Sequence, residues 1–467
     1  MQEDHKKKEV RELVRKFESF LKAKSTYYFD EESFLNIIGY YLDQEKLKMA
    51  LKAADLAIHQ FPFSADLIAE KADIQVKLNH PQKAIETLEN GLSYHPNDPD
   101  LLMQLGTIYA ITSDYKGAIR SFEAALPFIE DKDEVLYNIG LSYQGMGDHQ
   151  QAIHHYKEAL EHNMGNENIL YELAYCLDME GELENSIAYY EKFIDLDPYS
   201  EFAWYNLGIV YNKLGMFEKA VEAYEFAVAI EEDFSSAHFN LGNAFMNAED
   251  YPKALEAYLR TLEIEGSSAE IFCHIGASYE KMGEVESALR YFRKAVKLDQ
   301  LYHEAWYGLG VSLSMQGKNY EAVHFLTKAT KLDPENGLYW RTLAEAEYET
   351  GNILSAQDAF IQSSELTPQD PDVWLGWSQM YHDQGDLMQA FSLIENGLEE
   401  MPDNPELHYR GVVYLILDGK YKEGFNRLEI ALILDFDKHV LLFDYFKNPQ
   451  KQTALFRIID QFRKNEE

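Results

Sequence analysis

Two groups of side chains in the sequence have the residue types of a metal site or of a pair of catalytic acids. The first group is rich in histidine: His149, His154, His155 and His162. The second is Glu345 with Glu349. On a helix, His155 and His162 are two turns apart, a rise of about 10 Å that is too long for both to bind one ion. Two carboxylates one turn apart repel each other. We therefore interpret the histidines as a solvent-exposed helix face and predict no metal site.

The sequence motifs of common enzyme families are absent. There is no G-x-x-x-x-G-K for nucleotide phosphates, no G-x-S-x-G for a nucleophilic serine and no H-E-x-x-H for zinc. The glycines occur where turns or close helix crossings need them. These observations predict a non-catalytic protein that uses no cofactor.

Amide and aromatic side chains are better candidates for function, and the chemistry they offer is binding. The amides are Asn138, Asn206, Asn212, Asn240, Asn243 and Asn247. An asparagine amide donates and accepts hydrogen bonds, so a row of them can hold the backbone of an extended peptide without reading its sequence. The aromatic residues are Tyr171, Tyr205 and Phe239. Large amphipathic side chains of this kind are enriched in binding hot spots.

A unit of 34 residues positions these side chains. In the unit from Glu201 to Phe234, one stripe of residues at helical spacing precedes Gly215 and a second stripe follows it, which predicts two short helices packed back to back. The units begin at Glu31, Ala65, Pro99, Asp133, Glu167, Glu201, Ser235, Ala269, His303, Gly337, Pro371 and Pro405. We number each unit from 1 at its starting residue.

Two positions of the unit hold small residues. Position 20, in the second helix, is Ala in all units except for Ser186 and Gly424. Position 8, in the first helix, is Gly, Ala or Ser from Gly106 to Ser378. Two helices can cross closely only where small residues meet, so these positions predict a tight hairpin.

The 34-residue period, with W-x2-L-G-x2-Y, then Gly, then A-x3-Y-x2-A, resembles the tetratricopeptide repeat. The resemblance implies an all-α fold, a right-handed superhelical α-solenoid of helical hairpins. We predict an amphipathic N-terminal capping helix and connector over residues 1–30, twelve repeats over 31–438, and degenerate C-terminal capping helices over 439–467. The basic front half of the N-terminal helix leaves a second possibility, a docking helix for another surface.

The resemblance also implies where a partner binds. In this family the concave face is lined by the first helices through positions 2, 5, 6, 9, 12 and 13, here called inner-face positions. The resemblance therefore implies a peptide-binding site at Asn138, Tyr171, Tyr205, Asn206, Asn212, Phe239, Asn240, Asn243 and Asn247. Position 6 is interrupted by other residue types, among them Glu172 and His274. The lysines with which chaperone-docking members bind a carboxylate terminus are replaced by Tyr, Leu or acidic residues, so that client is excluded.

Charge and cysteine usage restrict the partner and the compartment. The 80 acidic and 42 basic residues give a formal net charge of −38. This charge repels nucleic acid and anionic lipid, and it favours a basic or neutral protein or peptide client. Position 2 is acidic in most units, so we expect a negative groove.

There is neither a signal peptide nor a run of about 18 apolar residues. With Cys176 and Cys273 predicted as free thiols, we expect a cytoplasmic protein without direct membrane insertion.

The sequence thus favours a protein-interaction scaffold that binds its client on the concave face. Two alternatives remain open, a scaffold subunit of a membrane-associated assembly or secretion machine and a regulatory subunit of an enzyme on another chain. The oligomeric state is not determined by the sequence.

Overall fold

The computed structural model describes residues 2–23, 28–446 and 453–466, with side chains for residues 8–22, 28–446 and 455–463. The described residues form helices and connecting turns, and the predicted all-α repeat solenoid is confirmed. The chain divides into two compact units, Met1–Ala237 and His238–Glu467. Within the described ranges, none of the helices has the length and apolar character that crossing a membrane requires.

The first unit contains the helices up to the start of α14. Their bounds are α1 Gln2–Ala23, α2 Glu31–Asp43, α3 Leu47–Gln60, α4 Ala65–Lys77, α5 Pro81–Leu92, α6 Pro99–Ile111, α7 Tyr115–Ala125, α8 Asp133–Gly145, α9 His149–His162, α10 Glu167–Met179, α11 Ile187–Leu196, α12 Glu201–Lys213 and α13 Phe217–Ile230. Short 3-10 helices follow α7 at Leu126–Phe128 and precede α11 at Leu183–Ser186.

The second unit contains most of α14 and the remaining helices. Their bounds are α14 Ser235–Asn247, α15 Tyr251–Glu265, α16 Ala269–Lys281, α17 Val285–Leu298, α18 His303–Met315, α19 Asn319–Leu332, α20 Gly337–Glu349, α21 Ile353–Leu366, α22 Pro371–Asp383, α23 Leu387–Glu400, α24 Pro405–Leu417, α25 Tyr421–Leu434 and α26 Thr453–Glu466. A 3-10 helix, Asp437–Asp444, follows α25.

Local side-chain hydrogen bonds explain where eight of the first helices begin. The residue before the helix accepts a backbone N–H of the first turn through its side chain, as Ser200 does from Ala203. The same cap is made by Asp30, Ser64, Asp98, Asn166, Ser268, Asp370 and Asn404. At position 4, the Trp204 indole N–H donates to the carbonyl of Pro198 at 3.0 Å. Trp306, Trp340 and Trp374 each bond in the same way to the carbonyl six residues before them.

The small residue at position 8 packs on the large residue at position 24 of the same hairpin. A Cβ added at Gly208 would lie 2.6 Å from Cε1 of Tyr224, and one added at Gly242 would lie 2.5 Å from Cε1 of Tyr258. Four further pairs have the same contact: Gly106 with Phe122, Gly140 with Tyr156, Gly276 with Phe292, and Gly310 with Leu326. The ring takes the space that a side chain would otherwise fill, so the two helices of a hairpin approach closely.

Position 15, the turn inside each hairpin, has a positive φ in every repeat. Eight repeats have glycine there, for example Gly215 with φ of 72°. The other four have Glu45, Asn79, Ser113 and Glu249, with φ between 55° and 63°. A side chain makes this left-handed conformation unfavourable, by about 1–2 kcal/mol in general and less for asparagine.

We expect Glu249→Gly to stabilise the protein by about 0.5–1 kcal/mol, because glycine has no Cβ to clash in this conformation. Asn79→Gly is the control and should give a smaller gain, since asparagine tolerates positive φ. Urea unfolding of the full chain measures both. A lower midpoint for Glu249→Gly would contradict this reading of the turn.

The two ends differ from the regular hairpins. In α1, Val14 and Phe17 are buried with Phe29, Phe34 and Tyr41 against the first hairpin. Residues 25–27 of the predicted connector lie outside the described residues. After α25 the sequence predicts degenerate capping helices over residues 439–467. The structure has the 3-10 helix Asp437–Asp444 at the start of this range and α26 near its end, and residues 447–452 lie outside the described residues. The role of both ends as caps stays a prediction.

Candidate functional site

In the first unit, the predicted site residues lie on three first helices. Asn138 is on α8, Tyr171 is on α10, and Tyr205, Asn206 and Asn212 are on α12. The Tyr171 side chain is 54% exposed. Asn206 and Asn212 are half-buried. All five are therefore on first helices, as the inner-face positions require, and Tyr171 presents the largest open aromatic surface among them.

A hydrogen bond to its own helix orients the Asn138 amide. Its Nδ2 donates to the carbonyl of Glu134 at 2.9 Å, and Asn36, at the same position of the first repeat, donates to Glu32 at 2.9 Å. A primary amide has a second N–H and a carbonyl oxygen with two lone pairs. One donor therefore fixes the side chain, and the other donor and the oxygen can bind a peptide backbone.

The structure adds an aromatic cluster that our sequence interpretation missed. Phe234, the last residue of repeat six, lies between Tyr205 and Phe202, with ring centroids 4.9 Å and 5.5 Å away. The Phe202 side chain is 49% exposed. A signal was present in the sequence, because Phe202 occupies position 2, which is acidic in most repeats. The cluster can contact an apolar side chain of a client beside the Asn206 amide.

In the second unit, Phe239, Asn240, Asn243 and Asn247 all lie on α14. The hydroxyl of Tyr258 donates to Oδ1 of Asn243 at 2.7 Å, and the Asn243 amide donates to Oδ1 of Asn240 at 3.4 Å. These bonds link the two amides to the packed second helix. Asn243 is therefore partly a structural residue, and its mutation would disturb Tyr258 as well as any client.

A neutral histidine completes this part of the site. The His274 ring lies 4.9 Å from the Phe239 ring in an edge-on arrangement and 5.1 Å from the Tyr258 ring. Burial against these rings lowers the pKa of His274 to about 4. At neutral pH this face therefore presents an uncharged imidazole between two aromatic rings, at a place where His274 interrupts the amides of position 6.

The buried histidine makes stability depend on pH. Between pH 6.5 and 4 the unfolded chain binds a proton at His274 and the folded chain does not, so stability falls as the pH is lowered through this range. We expect this histidine to account for a loss of about 1–2 kcal/mol between pH 7 and pH 5. His274→Gln should lack that part of the loss.

Urea unfolding at pH 7 and pH 5 measures the difference between wild type and variant. His324→Gln, at an exposed histidine of α19, is the matched control and should behave like wild type. An unchanged pH dependence in His274→Gln would show that the imidazole is solvated.

Carboxylates at inner-face positions are desolvated. Burial and the nearby Asp73 raise the pKa of Glu70. Burial also raises the pKa of Glu280, even though the carboxylate accepts a hydrogen bond from Ser312 at 3.1 Å. A carboxylate with a raised pKa gains most from an added positive charge. These positions therefore suit a lysine or arginine of a client.

Arg341, the basic residue at an inner-face position of α20, is already paired with carboxylates. Arg341 contacts Asp370 at 3.2 Å, Asp372 at 3.1 Å and Glu345 at 3.5 Å. Since three carboxylates surround one guanidinium, the local charge stays negative.

In the ranges that the structure describes, no group of three or more His, Cys, Asp or Glu side chains is placed to hold a metal ion. Both cysteines are buried as free thiols.

Comparison with protein families identifies the repeats. The family described as Tetratricopeptide repeat matches residues 70–133, 134–163, 167–200, 202–234 and 275–337, and the one described as TPR repeat matches 242–283. These matches cover more than half of the chain. The chain belongs to the tetratricopeptide repeat family. Its members bind protein or peptide partners, and the family supports an interaction scaffold in general terms.

Solved structures of the same fold are similar to this chain at low sequence identity. YrrB, described as a TPR protein with an unusual peptide-binding site, is 20% identical with a TM-score of 0.32, over 39% of this chain and 95% of its own. One chain of a structure described as the APC/C hetero-tetramer Cut9-Hcn1 is 15% identical with a TM-score of 0.38, over 93% of this chain and 94% of its own. MamA gives 20% identity and a TM-score of 0.32 over 35% and 95%. Curated protein sequences give no match.

Proposed function

We propose that this protein is a non-catalytic scaffold that binds a segment of another protein at the inner-face positions of its first helices. The observation that carries the proposal is the aromatic cluster of Phe202, Tyr205 and Phe234 beside Asn206. Half-exposed aromatic rings next to a primary amide offer both contact area and backbone hydrogen bonds, the combination that binding hot spots use.

The charge of these positions specifies the client further. Glu70 and Glu280 have raised pKa values because protein atoms exclude water from them, so a cation beside either carboxylate regains lost solvation. We therefore propose a basic or neutral client, whose lysine or arginine side chains contact the carboxylates while its backbone contacts the amides.

An affinity pull-down with the full chain tests the proposal and identifies the client by mass spectrometry. Repeated at low and high ionic strength, it should recover less client at high salt, because screening shortens electrostatic attraction to about 8 Å at physiological ionic strength. Salt-independent recovery of a client without basic segments would contradict the charge assignment. Recovery that survives replacement of Tyr171 and Asn206 would contradict the inner-face site.

A further inference from the structure

Residues Asp435–Phe446, here called the C-terminal segment, lie against the first helices of the last two repeats. Leu442 and Phe446 are buried in the core beside α24. Three other apolar side chains of the segment are exposed: Val440, Leu441 and Phe443. Leu442 and Phe446 therefore fix the segment to the core, and Phe443 stacks on Phe456 of α26 with ring centroids 5.4 Å apart. The rest of its apolar surface stays in contact with water.

The contacts of this segment fall on inner-face positions. Lys438 forms an ion pair of 2.7 Å with Glu406, which is position 2 of repeat twelve. The hydroxyl of Tyr409, at position 5 of the same repeat, donates to the carbonyl of Asp435 at 2.8 Å. Asp435 and Lys438 are the end of repeat twelve, so both contacts lie within that repeat. They join a lysine to an acidic position 2 and a groove tyrosine to a backbone carbonyl, the kinds of contact that we propose for a client.

Tyr445 contacts side chains at inner-face positions of repeats eleven and twelve. Its hydroxyl donates to Oε1 of Gln379, position 9 of repeat eleven. Its ring lies 4.9 Å from the Arg410 guanidinium carbon, and the edge of His382 approaches it with the ring centroids 5.7 Å apart. Arg410 also donates to Gln379 Oε1 at 3.0 Å. An amide, a cation and an imidazole thus surround one phenol ring from three sides.

We propose that the C-terminal segment occupies, within its own chain, a client-binding subsite formed by Gln379, His382, Glu406 and Arg410. The subsite takes a peptide segment that presents a lysine to Glu406 and, seven residues later, a tyrosine to the other three side chains. While the C-terminal segment is in place, the last two repeats are closed to a client. A client with the same two side chains competes for them.

A binding measurement between the full chain and a labelled peptide tests this proposal. The peptide has the sequence of residues 435–446, and fluorescence anisotropy reports its binding. We expect the Lys438→Ala/Tyr445→Ala variant to bind the peptide at least about tenfold more tightly than wild type, because the subsite is then open. A peptide in which the same lysine and tyrosine are alanine should not bind. Equal binding to wild type and variant, or of both peptides, would overturn the proposal.

A second variant keeps the test decisive if the double variant loses structure near α24. Tyr445→Phe retains the half-buried ring and removes only the hydroxyl bond to Gln379, so the end of the array should stay folded. We expect it to bind the peptide about threefold more tightly than wild type, and adding Gln379→Ala should reduce that binding. Peptide affinity equal to wild type in Tyr445→Phe would contradict the proposal.

This inference rests on the proposed function, since it takes the inner-face positions to be the binding surface. The two can fail separately. If the peptide does not bind and the pull-down still depends on Tyr171 and Asn206, only the assignment of the C-terminal segment is wrong. If the peptide binds and no client depends on those residues, the proposed site in the first unit is wrong.

Discussion

The Gly242→Leu variant should lose about 3 kcal/mol of stability in the hairpin of α14 and α15, near the upper end of the cost of overpacking a core. Even a Cβ at this position would lie 2.5 Å from the Tyr258 ring. The ring is fully buried and its hydroxyl is bonded to Asn243, so it cannot rotate away without losing that bond. The two helices must therefore separate.

Hydrogen exchange measured by peptide locates the damage. In a repeat array each hairpin packs mainly on its neighbours, so protection should fall near α14 and α15 and persist at distant helices. Gly39→Leu is the matched control, because a Cβ at Gly39 of α2 would have no atom within 4 Å. It should leave stability nearly unchanged. Loss of protection throughout the chain in Gly242→Leu would contradict the repeat picture.

The Asn138→Ala/Asn206→Ala variant should bind the client about 1–3 kcal/mol more weakly, because two amides that hold a peptide backbone are removed. Both residues lie at position 6 of first helices in the first unit. Thermal unfolding should be nearly unchanged, since the hydrogen bond of the Asn138 amide is to its own helix and its loss leaves no buried group unpaired.

Calorimetric titration of the client and a thermal melt of the variant are both required. Asn90→Ala, at an exposed asparagine of the second helix α5, is the matched control and should bind normally. Normal affinity with a lowered melting temperature in the double variant would show that these asparagines are structural residues and would move the binding site to another face.

The repeat architecture was predictable because its signals are local and recur along the chain. The period, the glycine at position 15 and the small residue at position 8 each act within one hairpin. The pairing of Gly208 with Tyr224 shows why, since both partners belong to the same 34-residue unit. A helix start such as that of α12 was also predictable, because its cap Ser200 lies three residues from the N–H it accepts.

The details of the site were less predictable because they depend on departures from the repeat. Phe202 stands at a position that is acidic in most repeats, and its contact with Phe234 joins the second and last residues of repeat six. The hydroxyl of Tyr445, a residue beyond the last repeat, reaches Gln379 across 66 residues of sequence. A period cannot predict a contact that occurs once.

The most direct test of an inner-face binding site is photo-crosslinking from two exposed aromatic positions of the first unit. Tyr171 is at an inner-face position and is 54% exposed, and Phe226, on the second helix α13, is 51% exposed. A photoreactive phenylalanine analogue replaces one or the other, and the client is irradiated with each variant. Crosslinking at position 171 and none at 226 is the predicted result. Crosslinking at 226 alone would contradict it.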